Sequence, residues 1–158
     1  MNIEKIQAPE KYEVSLKILL KKSDEYLLLN ISKKDKISTS KHFDLPGGRI
    51  NINETFIPFH ELIDREIKEE IGTNVKYKLR SDPVSIGESY IPERIEIKSG
   101  EIRGRFFVLF EAEYLGGEIK TSDEHSGYTW LNLSKDKVEN LFTPLLWDLL
   151  KNYFDWNK

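Results

Sequence analysis

The chain has no cysteine, and that absence removes several chemistries at once. No disulfide staples it, no thiolate serves as a nucleophile, and no cysteine-ligated zinc forms. Long apolar runs are also missing. No stretch approaches the ~20 residues of a membrane span, and Met1–Gln7 lacks the basic-then-apolar pattern of a signal peptide. A basic excess is missing too: 24 Lys and Arg face 27 Asp and Glu, a net charge of −3, which argues against a nucleic-acid tract as partner. Internal repeats, low-complexity tracts and linkers are absent, so residues 1–158 are expected to form a single domain. With 39% hydrophobic residues there is material for its core, and a cytoplasmic location without membrane contact is expected.

What is present is a dense acidic cluster. Glu66, Glu69 and Glu70 fall within five residues, next to Arg65. On a helix such spacings place the three carboxylates in an arc of roughly 100° on one side. Phe59, Ile63, Ile67 and Ile71 recur at four-residue intervals and form an adjoining apolar edge for core packing. Carboxylate oxygens suit hard cations, and Mg²⁺ in particular is held by a few carboxylates together with substrate phosphates. Glutamate is also a good helix former, so composition alone leaves open a solvated surface helix.

Around this helix the pattern is largely extended. Residues 12–21 and 25–31 read as a hairpin turning at Lys22-Ser23-Asp24, and Phe43-Asp44-Leu45 as a short strand entering a Pro-Gly-Gly turn. The polar segment 32–42 reads as a loop, and its run Lys33-Lys34-Asp35-Lys36 as solvated. Pro58 marks the start of the acidic helix near residue 57 or 58. Further strands are expected near 75–80, 84–91, 103–115 and 128–131. Thr143-Pro144 opens an amphipathic helix presenting Leu145, Leu146, Leu149, Leu150 and Phe154. The order fits a mixed sheet with helices on each side, and by pattern alone the class is α+β.

Leu45-Pro46-Gly47-Gly48, five residues, Glu54, and then Arg65-Glu66-Ile67-Lys68-Glu69-Glu70-Ile71-Gly72 resemble the Nudix box of the MutT-like hydrolases. The resemblance implies an α/β fold, an α/β/α sandwich with a mixed sheet. Carried over position by position, Glu66, Glu69 and Glu70 are the metal-binding glutamates, Arg65 orients them, Glu54 pairs with Arg65, and Gly47 and Gly48 form the loop. The cofactor implied is Mg²⁺ or Mn²⁺. Ten residues separate Glu54 from Arg65 where the pattern has seven, so the loop before the helix is lengthened by three. Glu61 and Asp64 are therefore alternative partners for Arg65. Thr73 also departs from an aliphatic position.

The resemblance continues to Glu124, six residues before Trp130, where the family carries an added metal ligand or base. The activity implied is metal-assisted attack of water on phosphorus in a nucleoside diphosphate linked to a further group, with a carboxylate taking the proton. Two other readings stand beside it. One is a Nudix-fold binding or regulatory module without catalysis; the other, an isomerase of isopentenyl diphosphate, is disfavoured because that resemblance implies a cysteine. Phe43, Tyr90, Phe142 and Trp147 are candidates to stack on a base, and Arg94, Arg103 and Arg105 to bind phosphate. His42, His60 and His125 read as surface residues. A homodimer would pair through the first hairpin or the C-terminal helix.

Overall fold

The computed structural model describes residues 11–31, 42–90 and 104–158. The run at 33–36, Arg94 and Arg103 lie outside them, as does all but the last residue of the expected loop 32–42.

Strand β1, Tyr12–Lys22, turns through Ser23-Asp24 into β2, Glu25–Ile31, as the sequence predicts. The two strands pair only beside the turn, at Lys21–Tyr26 and Lys22–Glu25, and then splay apart. The chain returns into this gap. β3, Phe43–Asp44, pairs with β2, and β4, Gly47–Arg49, pairs antiparallel with Ser15–Lys17 of β1. The residues expected as a Pro-Gly-Gly turn therefore form a strand from Gly47 onward. Gly47 has φ +142°, and a Cβ there would lie 2.0 Å from the Leu16 carbonyl oxygen, so only glycine allows this pairing.

Helix α1, Phe59–Ile71, follows a single 3-10 turn at Ile52–Glu54. Pro58 directly precedes the helix, where its missing N–H costs nothing. Strands β5, Lys76–Leu79, and β6, Ser85–Tyr90, share one edge of β7, Gly104–Gly116, whose other edge runs parallel to β1 along ten residue pairs. β8, His125–Asn132, lines the far edge of β2. The sheet is mixed.

Alternation along these strands feeds two cores. Leu16, Ile18, Leu20, Val108, Phe110 and Ala112 point to one face and meet Leu62, Ile63, Ile67 and Ile71 of α1. Leu19, Leu28, Phe107 and Leu109 point to the other. There they meet the short α2, Val138–Leu141, and α3, Trp147–Trp156, through Val138, Leu149, Leu150 and Tyr153. Each buried isoleucine of α1 contributes roughly 1.5–3 kcal/mol. Helices cover both faces, which is the expected α/β/α sandwich. α2 was not predicted, and Pro144–Leu146 forms a 3-10 turn before α3 rather than its first residues. The apolar side of α3 is spent on the chain's own core.

One buried polar chain ties α3 to the sheet. The Tyr153 hydroxyl donates to Glu111 Oε2 at 2.6 Å and lies 2.9 Å from the Tyr26 hydroxyl, which is left as the donor of that pair. Tyr153→Phe leaves the Glu111 carboxylate without its donor and is expected to cost about 1–3 kcal/mol in urea unfolding. Tyr26→Phe keeps that donor and should cost less; the reverse order would show that Tyr153 does not direct the network.

Candidate active site

The site is built where α1 crosses the glycine strand. Glu66 and Glu70, four residues apart on α1, are only 7% and 9% exposed. The Gly47 N–H donates to Glu70 Oε2 at 2.8 Å, and a Cβ on Gly48 would fall 2.4 Å from Glu66 Oε1. Helix and strand thus touch at two positions that tolerate no side chain. Glu69, the third carboxylate of the cluster, points outward and is exposed.

Arg65 gathers the acidic groups. Its Nη2 lies 2.8 Å from Glu54 Oε1 and 2.9 Å from Glu66 Oε1, and its Nη1 donates to Glu69 Oε2 at 3.0 Å. Burial opposes the guanidinium charge, but the Glu66, Glu69 and Glu54 carboxylates raise its pKa above the ordinary value. Glu54 is buried in the 3-10 turn, and its Oε2 accepts the Asn51 N–H at 2.8 Å. The alternative partners are engaged elsewhere: Asp64 with Lys68 and Tyr77, and Glu61 near the exposed His60. The three extra residues lengthen the loop without displacing Glu54.

The C-terminal end of α1 anchors the segment that carries Glu124. Helix carbonyls there lack intrahelical partners. Those of Ile71 and Glu70 accept the N–H groups of Lys120 and Ser122, each at 3.0 Å, and the His125 N–H closes onto Ser122 O. Ser122 and Glu124 thereby join Gly47, Gly48, Glu66, Glu69 and Glu70 around a cavity of about 330 Å³. A neighbouring cavity of about 630 Å³ shares Gly47, Gly48, Glu70 and Glu124 and adds Lys17, Asp44, Arg105 and His125. Arg105 is held by Glu13 at 2.9 Å. Phe142 is buried in the core, Trp147 donates its indole N–H to Phe142 O, Phe43 packs against that core, and Tyr90 ends β6 half exposed. None of these four aromatics lines either cavity.

Two residues of this region, Lys17 and Asp44, carried no functional reading in the sequence, and a third, His125, was misplaced. Lys17 is 8% exposed, and its ammonium donates to Asp44 Oδ1 at 2.9 Å and to Leu45 O at 3.1 Å. Burial would raise the Asp44 carboxyl, but Lys17 beside it holds it well below the usual carboxylate range. His125 is not a surface residue: its side chain is 8% exposed, with Nε2 3.9 Å from Asp44 Oδ2 and Nδ1 buried without a partner among the described residues. The Asp44 carboxylate raises its pKa against burial. A single charged residue inside the apolar run of β1 was the available signal for Lys17. His60 is exposed, as expected.

The donors around the smaller cavity are oxygens, including a buried Ser122 Oγ with no partner among the described residues, and its carboxylates outnumber its cations. That chemistry fits a hard divalent cation. Among the described residues no three acidic or histidine side chains already form a metal-holding group. Arg65 occupies Glu66 and Glu69, and the Gly47 N–H holds Glu70.

Burial pushes the Glu70 carboxyl up to about 7, against the pull of Lys17 and the Gly47 N–H, and burial also raises Glu66. A raised carboxyl stabilises the fold fully below its unfolded pKa, near 4.5, and that contribution is lost as pH rises through about 7. His125, raised, loses its contribution on the same side, whereas Asp44, lowered, is complete by pH 5. Metal-free protein should therefore lose up to roughly 3 kcal/mol between pH 5 and 8 from Glu70. Thermal unfolding in EDTA checks this: Tm falls with pH in the wild type and falls less in Glu70→Gln. Equal slopes would refute the assignment.

No family model matches the sequence, and no curated protein matches it. Solved structures do. A MutT protein from Methanosarcina mazei Go1 superposes with a TM-score of 0.63 at 23% identity, covering 94% of each chain. A MutT NUDIX hydrolase from Burkholderia pseudomallei gives 0.57 at 18% identity over 85% of this chain and 92% of that one. An ADP-ribose pyrophosphatase from Streptococcus suis gives 0.53 at 17% identity over 92% and 87%. With its Nudix-box residues gathered where α1 meets the glycine strand, the chain has the fold of the MutT-like Nudix hydrolases.

Proposed function

We propose that the chain, as one domain over residues 1–158, is a cytoplasmic Nudix pyrophosphohydrolase. It cleaves a diphosphate linkage in a small nucleotide-like substrate by attack of water on phosphorus. The observation that carries the reading is the oxygen-lined cavity between Glu66, Glu70 and the glycine strand, opening beside a larger cavity that contains Lys17 and Arg105. One of the structural neighbours is an ADP-ribose pyrophosphatase, which supports this reading.

Glu66, Glu69 and Glu70, with Glu124, would hold Mg²⁺ or Mn²⁺, which neutralises phosphate oxygens and activates water. Arg65 fixes the first two carboxylates and is itself fixed by Glu54, so the donors meet the phosphates in a preset arrangement. Gly47 and Gly48 keep the backbone low enough for phosphate to approach the helix. Lys17 and Arg105 supply positive charge to the neighbouring cavity, where the nucleoside side of the substrate would lie. A carboxylate accepts the proton of the attacking water as the bond from phosphorus to the leaving phosphate oxygen breaks. Glu124 lines both cavities, which supports it as that acceptor.

The test is mass-spectrometric detection of products from nucleoside triphosphates, dinucleoside polyphosphates, ADP-ribose and nucleotide sugars with Mg²⁺ or Mn²⁺. Cleavage at a diphosphate bond is expected, abolished by EDTA and restored by either ion. Glu70→Gln should lower kcat/KM by about a hundredfold or more, and Arg65→Ala, which loosens the donors without removing one, by about 10–100-fold. Full activity in Glu69→Gln and Glu70→Gln would reject the hydrolase reading. Calorimetric binding of a nucleotide without product would favour the binding module.

A further inference from the structure

The lengthened loop before α1 does more than span a gap. Ile52 in the preceding 3-10 turn, Phe56 in the loop and Phe59 at the start of α1 are 95%, 99% and 43% exposed, an unusual outlay of apolar surface within eight residues. Together with Val14, Ile50 and Ile57 they line a groove of about 590 Å³. Phe59 is held edge-to-face against Phe110 at 6.0 Å, which fixes one wall to the core.

Phe56 is the telling residue. Its φ of +72° is left-handed, a conformation costly for a bulky side chain and natural for glycine or asparagine. Among the described residues its side chain is not packed into the core. Neither backbone preference nor core burial accounts for a phenylalanine there, whereas contact with a ligand would.

The groove is continuous with the proposed catalytic site. Arg49 lines the groove, the carboxylate cavity and the larger cavity alike, and Asn51 lines the first two. Glu54, the buried partner of Arg65, forms part of the groove's floor. For a diphosphate lying at the carboxylates with its nucleoside in the larger cavity, the groove is the adjoining space, reached past Arg49 and Asn51. Resting on the proposed hydrolase reading, we infer that this shelf seats an aromatic ring carried on the far side of the diphosphate. An open shelf with an exposed aromatic side chain suits stacking, whereas an alkyl chain would need an enclosed trough.

Equilibrium binding tests this without turnover. The phenyl, methyl and hexyl esters of diphosphate, each with a methylene in place of the bridging oxygen so that it is not cleaved, are titrated by calorimetry in Mg²⁺ into wild type, Phe56→Gly and Phe56→Ala. Stacking of one ring predicts the phenyl ester binding about tenfold tighter than the methyl ester in wild type. In both variants the ratio should fall toward one while the methyl ester's Kd stays unchanged. Phe56→Gly should also keep or raise Tm, since glycine relieves the left-handed strain, so lost binding cannot be laid to misfolding. An unchanged ratio in the variants, no preference in wild type, or no measurable binding of the phenyl ester would each overturn the shelf. The hexyl ester binding as tightly as the phenyl ester would overturn its aromatic assignment. A protein that binds the phenyl ester through Phe56 but turns nothing over would refute the hydrolase reading and leave the shelf standing.

Discussion

Close approach between α1 and the glycine strand is the constraint on which the rest depends. Glu70 reaches the Gly47 N–H at 2.8 Å, and Glu66 lies where a Cβ of Gly48 would have to go. Because Gly47–Arg49 is itself paired to β1, the helix is fixed to the middle of the sheet through its acidic side as well as its apolar one. The splay of β1 from β2 is what makes room: strands paired along their whole length would leave no gap for β3 and β4 to enter. A feature that looks like a defect in the hairpin is thus the opening in which the site is assembled.

Burying two carboxylates is costly, and their neighbours share the compensation unevenly. Glu66 has the Arg65 guanidinium, itself braced by Glu54 and Glu69. Glu70 has one backbone N–H and the more distant Lys17, whose ammonium is already committed to Asp44 and Leu45 O. Burial raises both carboxyls, and with this weaker pairing Glu70, not the better-paired Glu66, is pushed up to about 7. A divalent cation would supply the charge that the protein leaves out.

How far this was legible depends on whether a signal is local. The helix was readable because its apolar and acidic positions repeat with helical period, and β7 because thirteen residues of extended, aromatic-rich sequence carry one message. Gly47 and Gly48 announced a special backbone, yet a turn and a strand needing positive φ look alike until the partner strand is known. Lys17, Asp44 and His125 were opaque for the same reason. They sit in three separate elements, 27 residues apart in the first case, and nothing in any one segment says that they meet. The anchoring of Ser122 by the last carbonyls of α1 is likewise a tertiary fact, invisible in a sequence that shows only a polar loop.

The insertion between Glu54 and Arg65 shows why spacing is a weaker guide than contact. Of the ten residues between Glu54 and Arg65 six already belong to α1, and adding three to the short connection before it raises the closure cost by only about 1 kcal/mol. A buried charge-assisted contact, by contrast, is worth roughly 1.5–3 kcal/mol. The contact therefore dictates where the loop's ends lie, and the added residues are expelled to where they cost least. Glu54 keeps its place because its two carboxylate oxygens are divided between Arg65 and the Asn51 N–H, which ties the guanidinium to the 3-10 turn preceding the extra residues. Between that turn and Pro58, Ile57 packs against the core beneath α1, while Thr55 and Phe56 face outward. New surface can accordingly appear at the rim of the site, as it does at Phe56, without disturbing the carboxylates a few residues away.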